Sequence, residues 1–112
     1  MEISVDQLDG VSVATVPVDE LDASNSPEFK RDMGSVLQAN TKLVLDLSRL
    51  RFVDSSGLGA ILSCLRQLSA KNGDLKLCGL SKQVRAAFEL VRMHRIFDIA
   101  GTKEEAVHAF DQ

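Results

Sequence analysis

Residues 43–68 read LVLDLSRLRFVDSSGLGAILSCLRQL, and the hydrophobic period changes within this stretch. Leu43–Leu47 is rich in branched apolar residues and too short for an isolated helix, which predicts a strand that is covered on both faces. Beyond it the apolar residues fall at helical spacing, which predicts an amphipathic helix whose stripe is Leu58, Ile61, Leu62, Leu65 and Leu68. The rest of the fold is placed around this strand and helix.

The connection between strand and helix ends in Asp54-Ser55-Ser56-Gly57. Aspartate and serine are residue types that cap a helix, because they accept hydrogen bonds from the unpaired N–H groups of its first turn. The start of a helix also carries a partial positive charge that favours an anion. One cap needs only one side chain, so a hydroxyl is left over for modification or for contact with a partner. Residue types alone leave two interpretations open, a simple cap and a modification site.

Length, composition and charge limit the class of protein. The chain has 112 residues, of which 45% are hydrophobic, so it can form the core of one compact domain over residues 1–112. Its formal net charge of -3 argues against direct binding of nucleic acid. No apolar run approaches the roughly 20 residues that span a bilayer, and Met1-Glu2-Ile3 lacks the basic start of a signal peptide. We therefore expect a cytoplasmic protein with no nucleic-acid or membrane partner.

Further elements flank the central strand and helix. Before them, the pattern predicts a hairpin, a loop and a helix, namely Ile3–Leu8, the turn Asp9-Gly10, Val11–Val16, residues 19–25, and Ser26 to about Asn40. After them, it predicts a strand, a helix, a strand and a terminal helix, namely Leu75–Cys78, Ser81 to Val91, Ile96–Ile99, and Thr102 to Phe110. Each crossover is long enough to join parallel strands. The predicted fold class is an α/β sandwich of a mixed sheet with an N-terminal hairpin, parallel strand-helix-strand units and about four helices.

The connection Arg51–Gly57 leaves the carboxyl end of the central strand. In α/β sheets, functional sites collect in the loops at this edge. The position of the loop and the chemistry of its residues therefore indicate the same site.

Several catalytic and ligand-binding motifs are absent from the sequence. A hydrolase nucleophile elbow needs glycines where Asp54 and Leu58 stand, and no dinucleotide fingerprint follows Gly57. Cys64 and Cys78 form no C-x-x-C pair, so we expect both to be small, reduced core residues. The cysteines and histidines have no recognised metal-ligand spacing. The residues therefore give no support for a hydrolase, a dinucleotide cofactor, a redox cysteine pair or a metal site.

The segments Val44–Leu47 and Phe52–Gly59, with the helix beyond them, resemble the signature of the anti-sigma factor antagonists of the STAS-domain family. The likeness covers nearly the whole chain. The resemblance implies a non-enzymatic protein that binds an anti-sigma factor, which is also a serine kinase with its own bound ATP. It implies that the unphosphorylated form captures this kinase and frees a sigma factor, that phosphorylation abolishes binding, and that a serine phosphatase is a further partner.

The resemblance also implies roles for individual residues. Ser56, directly before the glycine, corresponds to the phosphoacceptor, whereas Ser55 corresponds to a neighbouring position that is not the usual acceptor. Asp22 and Asn25 lie in the segment that corresponds to the family's partner-facing loop. The remaining contact surface is expected to be shaped by Asp54, Ser55, Gly57 and Leu58.

Alternatives remain open at this point. A phospho-aspartate receiver domain has similar length and would use Asp46 or Asp54, although the adjacent acidic pair of receivers is missing. A STAS subunit of a transporter or of a stress-signalling complex would share the fold. Basic residues surround the predicted third helix, namely Lys82, Arg85, Arg92, His94 and Arg95. This basic surface is either a solvated face or a contact surface for an acidic partner.

Overall fold

A computed structural model describes residues 1–111. The strands are β1 (Ser4–Leu8), β2 (Val11–Thr15), β3 (Glu20–Leu21), β4 (Lys42–Asp46), β5 (Phe52–Val53), β6 (Asp74–Cys78) and β7 (Asp98–Ala100). The α-helices are α1 (Ser26–Ala39), α2 (Ser55–Ser69), α3 (Lys82–Leu90) and α4 (Lys103–His108). Two short 3-10 helices cover Met93–Arg95 and Ala109–Asp111.

Five strands form one mixed sheet in the order β1-β2-β4-β6-β7. β1 runs antiparallel to β2, and the other neighbours are parallel. The predicted fold class, a mixed sheet with an N-terminal hairpin and helical crossovers, is confirmed. The central position of β4 places its carboxyl end in the middle of the edge where the predicted site lies.

The side chains of β4 alternate between two cores, as a strand covered on both faces requires. Leu43 and Leu45 are fully buried in the larger core, which contains side chains of α1, α2 and α3. Val44 faces the smaller core, where Ala106 and Val107 of α4 cover the sheet. The amphipathic helix predicted after the polar connection is α2, and it lies on the side of the larger core.

A separate two-stranded sheet was not predicted. The predicted loop 19–25 contains β3, which pairs in parallel with β5 through Glu20 opposite Phe52 and Leu21 opposite Val53. Strands of two residues are too short to show a hydrophobic period. Their pairing brings the segment before α1 next to the segment before α2, and this positions the site.

The C-terminal part of the chain differs from the prediction in two helices. α3 ends at Leu90, and Arg92 takes a left-handed conformation with φ of 61°, so the chain turns before another helical turn can form. Val91, which the prediction placed inside this helix, is therefore 52% exposed. The terminal helix ends at His108, and Phe110 is only partly buried in the 3-10 helix that follows.

The predicted strand Ile96–Ile99 is displaced along the chain. The 3-10 helix after α3 takes up Met93–Arg95, and pairing with β6 begins only at Asp98. Phe97 is buried, but it lies outside the strand and packs edge-on against Phe88, with ring centroids 5.9 Å apart. Burial of this ring, not strand pairing, explains the apolar pattern here.

Candidate functional site at the starts of two helices

The starts of α1 and α2 lie side by side because β3 and β5, which precede them, are paired. The backbone N–H of Asp54 continues this pairing by donating to the carbonyl of Leu21 at 3.3 Å. The Asp54 carboxylate then joins the two helix starts. Its Oδ1 accepts from the N–H of Gly57 at 2.9 Å, and its Oδ2 accepts from the N–H of Ala23 at 3.2 Å. Asp54 thus caps α2 and also fixes the loop before α1.

Ser55 and Ser56 are the first two residues of α2, and both are exposed. Because Asp54 supplies the cap, neither serine is needed for it. Within residues 1–111, neither hydroxyl is hydrogen-bonded to a base that could activate it, and a serine without such a base is a weak nucleophile. The site offers two accessible hydroxyls that an external enzyme could modify.

Gly57 and Leu58 lie beneath this surface. A Cβ atom added at Gly57 would stand 2.3 Å from the carbonyl oxygen of Leu21 and 2.6 Å from Cγ2 of Val53. Only glycine lets the first turn of α2 approach β3 so closely. The Leu58 side chain is 6% exposed and belongs to the larger core. These two predicted contact residues therefore shape the surface from below and offer a partner little area.

The loop before α1 is held by its own polar side chains. Asn25 Oδ1 accepts from the N–H of Asp22 at 2.9 Å, and Asn25 Nδ2 donates to the carbonyl of Glu20 at 2.8 Å. Asp22 Oδ1 accepts from both the N–H and the hydroxyl of Ser24, at 2.9 and 2.5 Å. These bonds from Ser24 hold the pKa of Asp22 below its ordinary value. Asp22 and Asn25 are both partly exposed in this loop.

A shallow depression of about 410 Å³ lies between the two helix starts. Loop and helix residues line it, namely Ala23, Ser26, Pro27, Lys30, Ser55, Ser56, Gly59 and Ala60. Among these lining residues, Lys30 alone carries a charge. The predicted phosphoacceptor, its neighbouring serine and the end of the predicted partner-facing loop are therefore parts of one continuous surface. Sequence analysis did not single out Lys30, because one lysine on an exposed helix face carries no signal.

Sequence and structural relatives show the family of this chain. The sequence model of the STAS domain matches residues 2–106. The chain belongs to the STAS domain family. BtrV of Bordetella bronchiseptica, which carries the name of an anti-sigma factor antagonist, is 32% identical over 111 residues, covering 98% of this chain and 95% of BtrV.

This STAS domain is similar to two solved structures of SpoIIAA, one unphosphorylated and one phosphorylated. The anti-sigma factor antagonist SpoIIAA in its unphosphorylated form has a TM-score of 0.78 and 26% identity, covering 98% of this chain and 96% of SpoIIAA. The Bacillus SpoIIAA structure in the phosphorylated form has a TM-score of 0.69 and 25% identity, covering 97% and 99%. Both states of that relative share the fold described above.

The alternative of a receiver domain is wrong. The STAS match extends over residues 2–106, and β1 runs antiparallel to β2, whereas the doubly wound fold of receivers has a parallel sheet in a different strand order. The carboxylate of Asp46 already has a local partner, because its Oδ1 accepts from the N–H of Ser48 at 2.9 Å. Asp54, the other aspartate considered for a receiver, is the cap of α2.

The two cysteines of this STAS domain are free and buried, as predicted. Burial raises the pKa of Cys64 and of Cys78 to about 12 in each case. Their thiolate forms are therefore scarce at neutral pH, and the side chains act as small core residues.

The basic surface near α3 also contains apolar residues that the sequence pattern did not predict to be exposed. Leu90, Val91 and Ile96 are 86, 52 and 55% exposed, and Arg85, Arg92 and Arg95 are exposed near them in the chain. Part of this charge is paired, since Arg85 lies 3.6 Å from Glu89.

Across residues 1–111, no helix has the length and apolar character needed to cross a membrane.

Proposed function

We propose that this STAS domain is an anti-sigma factor antagonist that is switched by phosphorylation of Ser56. The observation that carries the proposal is the pair of exposed serine hydroxyls that the Asp54 cap leaves free. The names of BtrV and SpoIIAA, and the phosphorylated form of SpoIIAA, support it. The unphosphorylated surface of the loop 22–25 and the start of α2 binds an anti-sigma factor that is a serine kinase, and a sigma factor is released. A serine phosphatase restores this state, and the cycle takes place in the cytoplasm.

In this proposal the chain supplies only the acceptor. The kinase transfers the γ-phosphoryl group of its own ATP to Oγ of Ser56, a base of the kinase takes the hydroxyl proton, and ADP leaves. The phosphatase later hydrolyses the phosphate ester with water. The sequence contains no glycine-rich phosphate loop with which the domain could use ATP itself. The domain therefore acts as a binding protein and not as an enzyme.

Phosphate on Ser56 is expected to change binding more than folding. It adds about 1.5 to 2 negative charges. At the start of α2 these charges meet a partial positive charge and free N–H donors, so the domain tolerates them. In the interface, the same charge and bulk press against a partner surface that accepted a hydroxyl, and an unpaired buried charge costs several kcal/mol. Each 1.4 kcal/mol weakens binding about tenfold.

Ser56 and Ser55 must be separated by experiment, because both are exposed and both line the same depression. The protein is incubated with ATP alone and with its cognate anti-sigma factor kinase, and intact mass is measured for the parent and for the matched variants Ser56→Ala and Ser55→Ala. We expect one phosphate on the parent and on Ser55→Ala, none on Ser56→Ala, and none on any protein without kinase. Incorporation without kinase would overturn the non-enzymatic role. Incorporation into Ser56→Ala but not into Ser55→Ala would assign the acceptor to Ser55.

A further inference from the structure

We infer that Lys30 is the intramolecular counter-ion of the phosphoryl group on Ser56, and that this group occupies the depression between α1 and α2. The inference rests on the proposed phosphorylation of Ser56. It assigns a role to a residue of α1 in a switch whose acceptor lies on α2.

The placement of Lys30 is the first argument. Lys30 and Ser56 both line the depression of about 410 Å³, together with Gly59 and Ala60 on the next turn of α2. A Cβ atom added at Gly59 would meet no atom within 4 Å, so this side of the depression is open. A phosphoryl group on Ser56 therefore has space to lie between the helices.

The neighbours of Lys30 are the second argument. Lys30 belongs to α1, but the depression that it lines is lined on the other side by residues of α2, namely Ser55, Ser56, Gly59 and Ala60. Lys30 therefore shares one surface with the serines at the start of α2.

The availability of Lys30 is the third argument. Three other charged groups near the helix starts already have partners. Arg31 lies 3.3 Å from Asp32, Glu28 lies 2.9 Å from the amino group of Met1, and Asp22 accepts two bonds from Ser24. The side chain of Lys30 is exposed and forms no ion pair within residues 1–111.

The nearby carboxylates make a counter-ion useful. Asp54 directly precedes the two serines, and its oxygens accept from Gly57 and Ala23. A phosphoryl group at Ser56 would be repelled by this carboxylate and by that of Asp22. An ammonium group in the depression offsets the repulsion and favours the dianion of the phosphate. Phosphorylation then removes both the free hydroxyl and the free ammonium from the surface that meets the partner.

The experiment introduces phosphoserine at position 56 during translation, so that it does not depend on the kinase. A pH titration by phosphorus-31 NMR measures the second pKa of the phosphate in the full chain. Lys30→Gln is compared with Arg31→Gln, which removes the same charge from the adjacent residue on α1, and with Lys30→Arg, which keeps the charge. Because a nearby cation favours the dianion, we expect the phosphate pKa to be about half a unit higher in Lys30→Gln than in the other proteins.

Equal phosphate pKa values in Lys30→Gln and Arg31→Gln would overturn the role of Lys30 while leaving the Ser56 switch intact. A kinase that does not modify Ser56 would overturn the proposed function, whereas the titration would still report on the Lys30 contact. A rise in Lys30→Gln that is absent from Lys30→Arg supports the inference, because the charge and not the shape of the side chain is then responsible.

Discussion

The two helix starts at the site use their polar side chains in opposite ways. At α1, Ser26 is 5% exposed and its hydroxyl donates to the carbonyl of Asp22 at 2.6 Å, while the side chain of Asn25 binds backbone groups of the loop. At α2, Asp54 alone makes the side-chain cap, and Ser56 is exposed. The polar side chains at the start of α1 form hydrogen bonds within the fold. The serines at the start of α2 are not needed for its cap and so are available for a switch.

The largest effect on stability is expected where α2 touches β3. Gly57→Ala places a Cβ atom 2.3 Å from a backbone oxygen, which cannot move as a flexible side chain would, so we expect a loss of about 3 kcal/mol in the free energy of unfolding. Gly59→Ala is the control, because it meets open space and should gain up to about 1 kcal/mol from helix propensity. Urea denaturation measures both. Equal changes would show that α2 does not depend on the close approach to Leu21.

A smaller loss is expected when the link between the two helix starts is removed. Asp54→Ala deletes the cap of α2 and the bond to Ala23, which should cost about 1 to 2 kcal/mol. Asp54→Asn keeps one acceptor oxygen and should lose less. Urea denaturation gives the stability, and the amide resonance of Ala23 reports the loop directly. A loss below about 0.5 kcal/mol in Asp54→Ala would contradict the assigned cap.

The smallest effects test the contrast between the serines. Ser26→Ala leaves the carbonyl of Asp22 without its hydroxyl donor, so we expect a loss of about 1 kcal/mol. Ser56→Ala should change the free energy of unfolding by less than about 0.5 kcal/mol, because the hydroxyl is exposed and does not form the cap. Thermal unfolding of the two variants side by side measures the difference. Comparable losses would mean that Ser56 also belongs to the fold.

Part of this arrangement could be predicted from the sequence. The change of hydrophobic period between Leu43 and Leu68 predicts β4 and α2, because both elements are long enough to show a hydrophobic pattern. The choice of Asp54 over the serines as the cap could not be predicted, because all three are capping residue types. Neither could the β3 to β5 pairing or the place of Lys30, since both depend on contacts between segments far apart in the chain.

The C-terminal part of the chain shows a second limit of periodicity. The left-handed conformation of Arg92 ends α3 without a glycine or proline to mark it. The apolar residues beyond it then belong partly to the core and partly to the surface, as Phe97 and Ile96 illustrate. A hydrophobic pattern predicts burial only while the chain keeps one regular geometry.

The central claim is that phosphate on Ser56 releases a partner without rearranging the domain. Calorimetric titration of the unmodified and the Ser56-phosphorylated protein with the anti-sigma factor kinase tests it most directly, with backbone NMR of both forms as a check on the fold. We expect affinity to fall at least about 100-fold on phosphorylation, a partial fall in Ser56→Asp, and chemical-shift changes confined to the starts of α1 and α2. Equal affinity of the two forms for the kinase would contradict the switch.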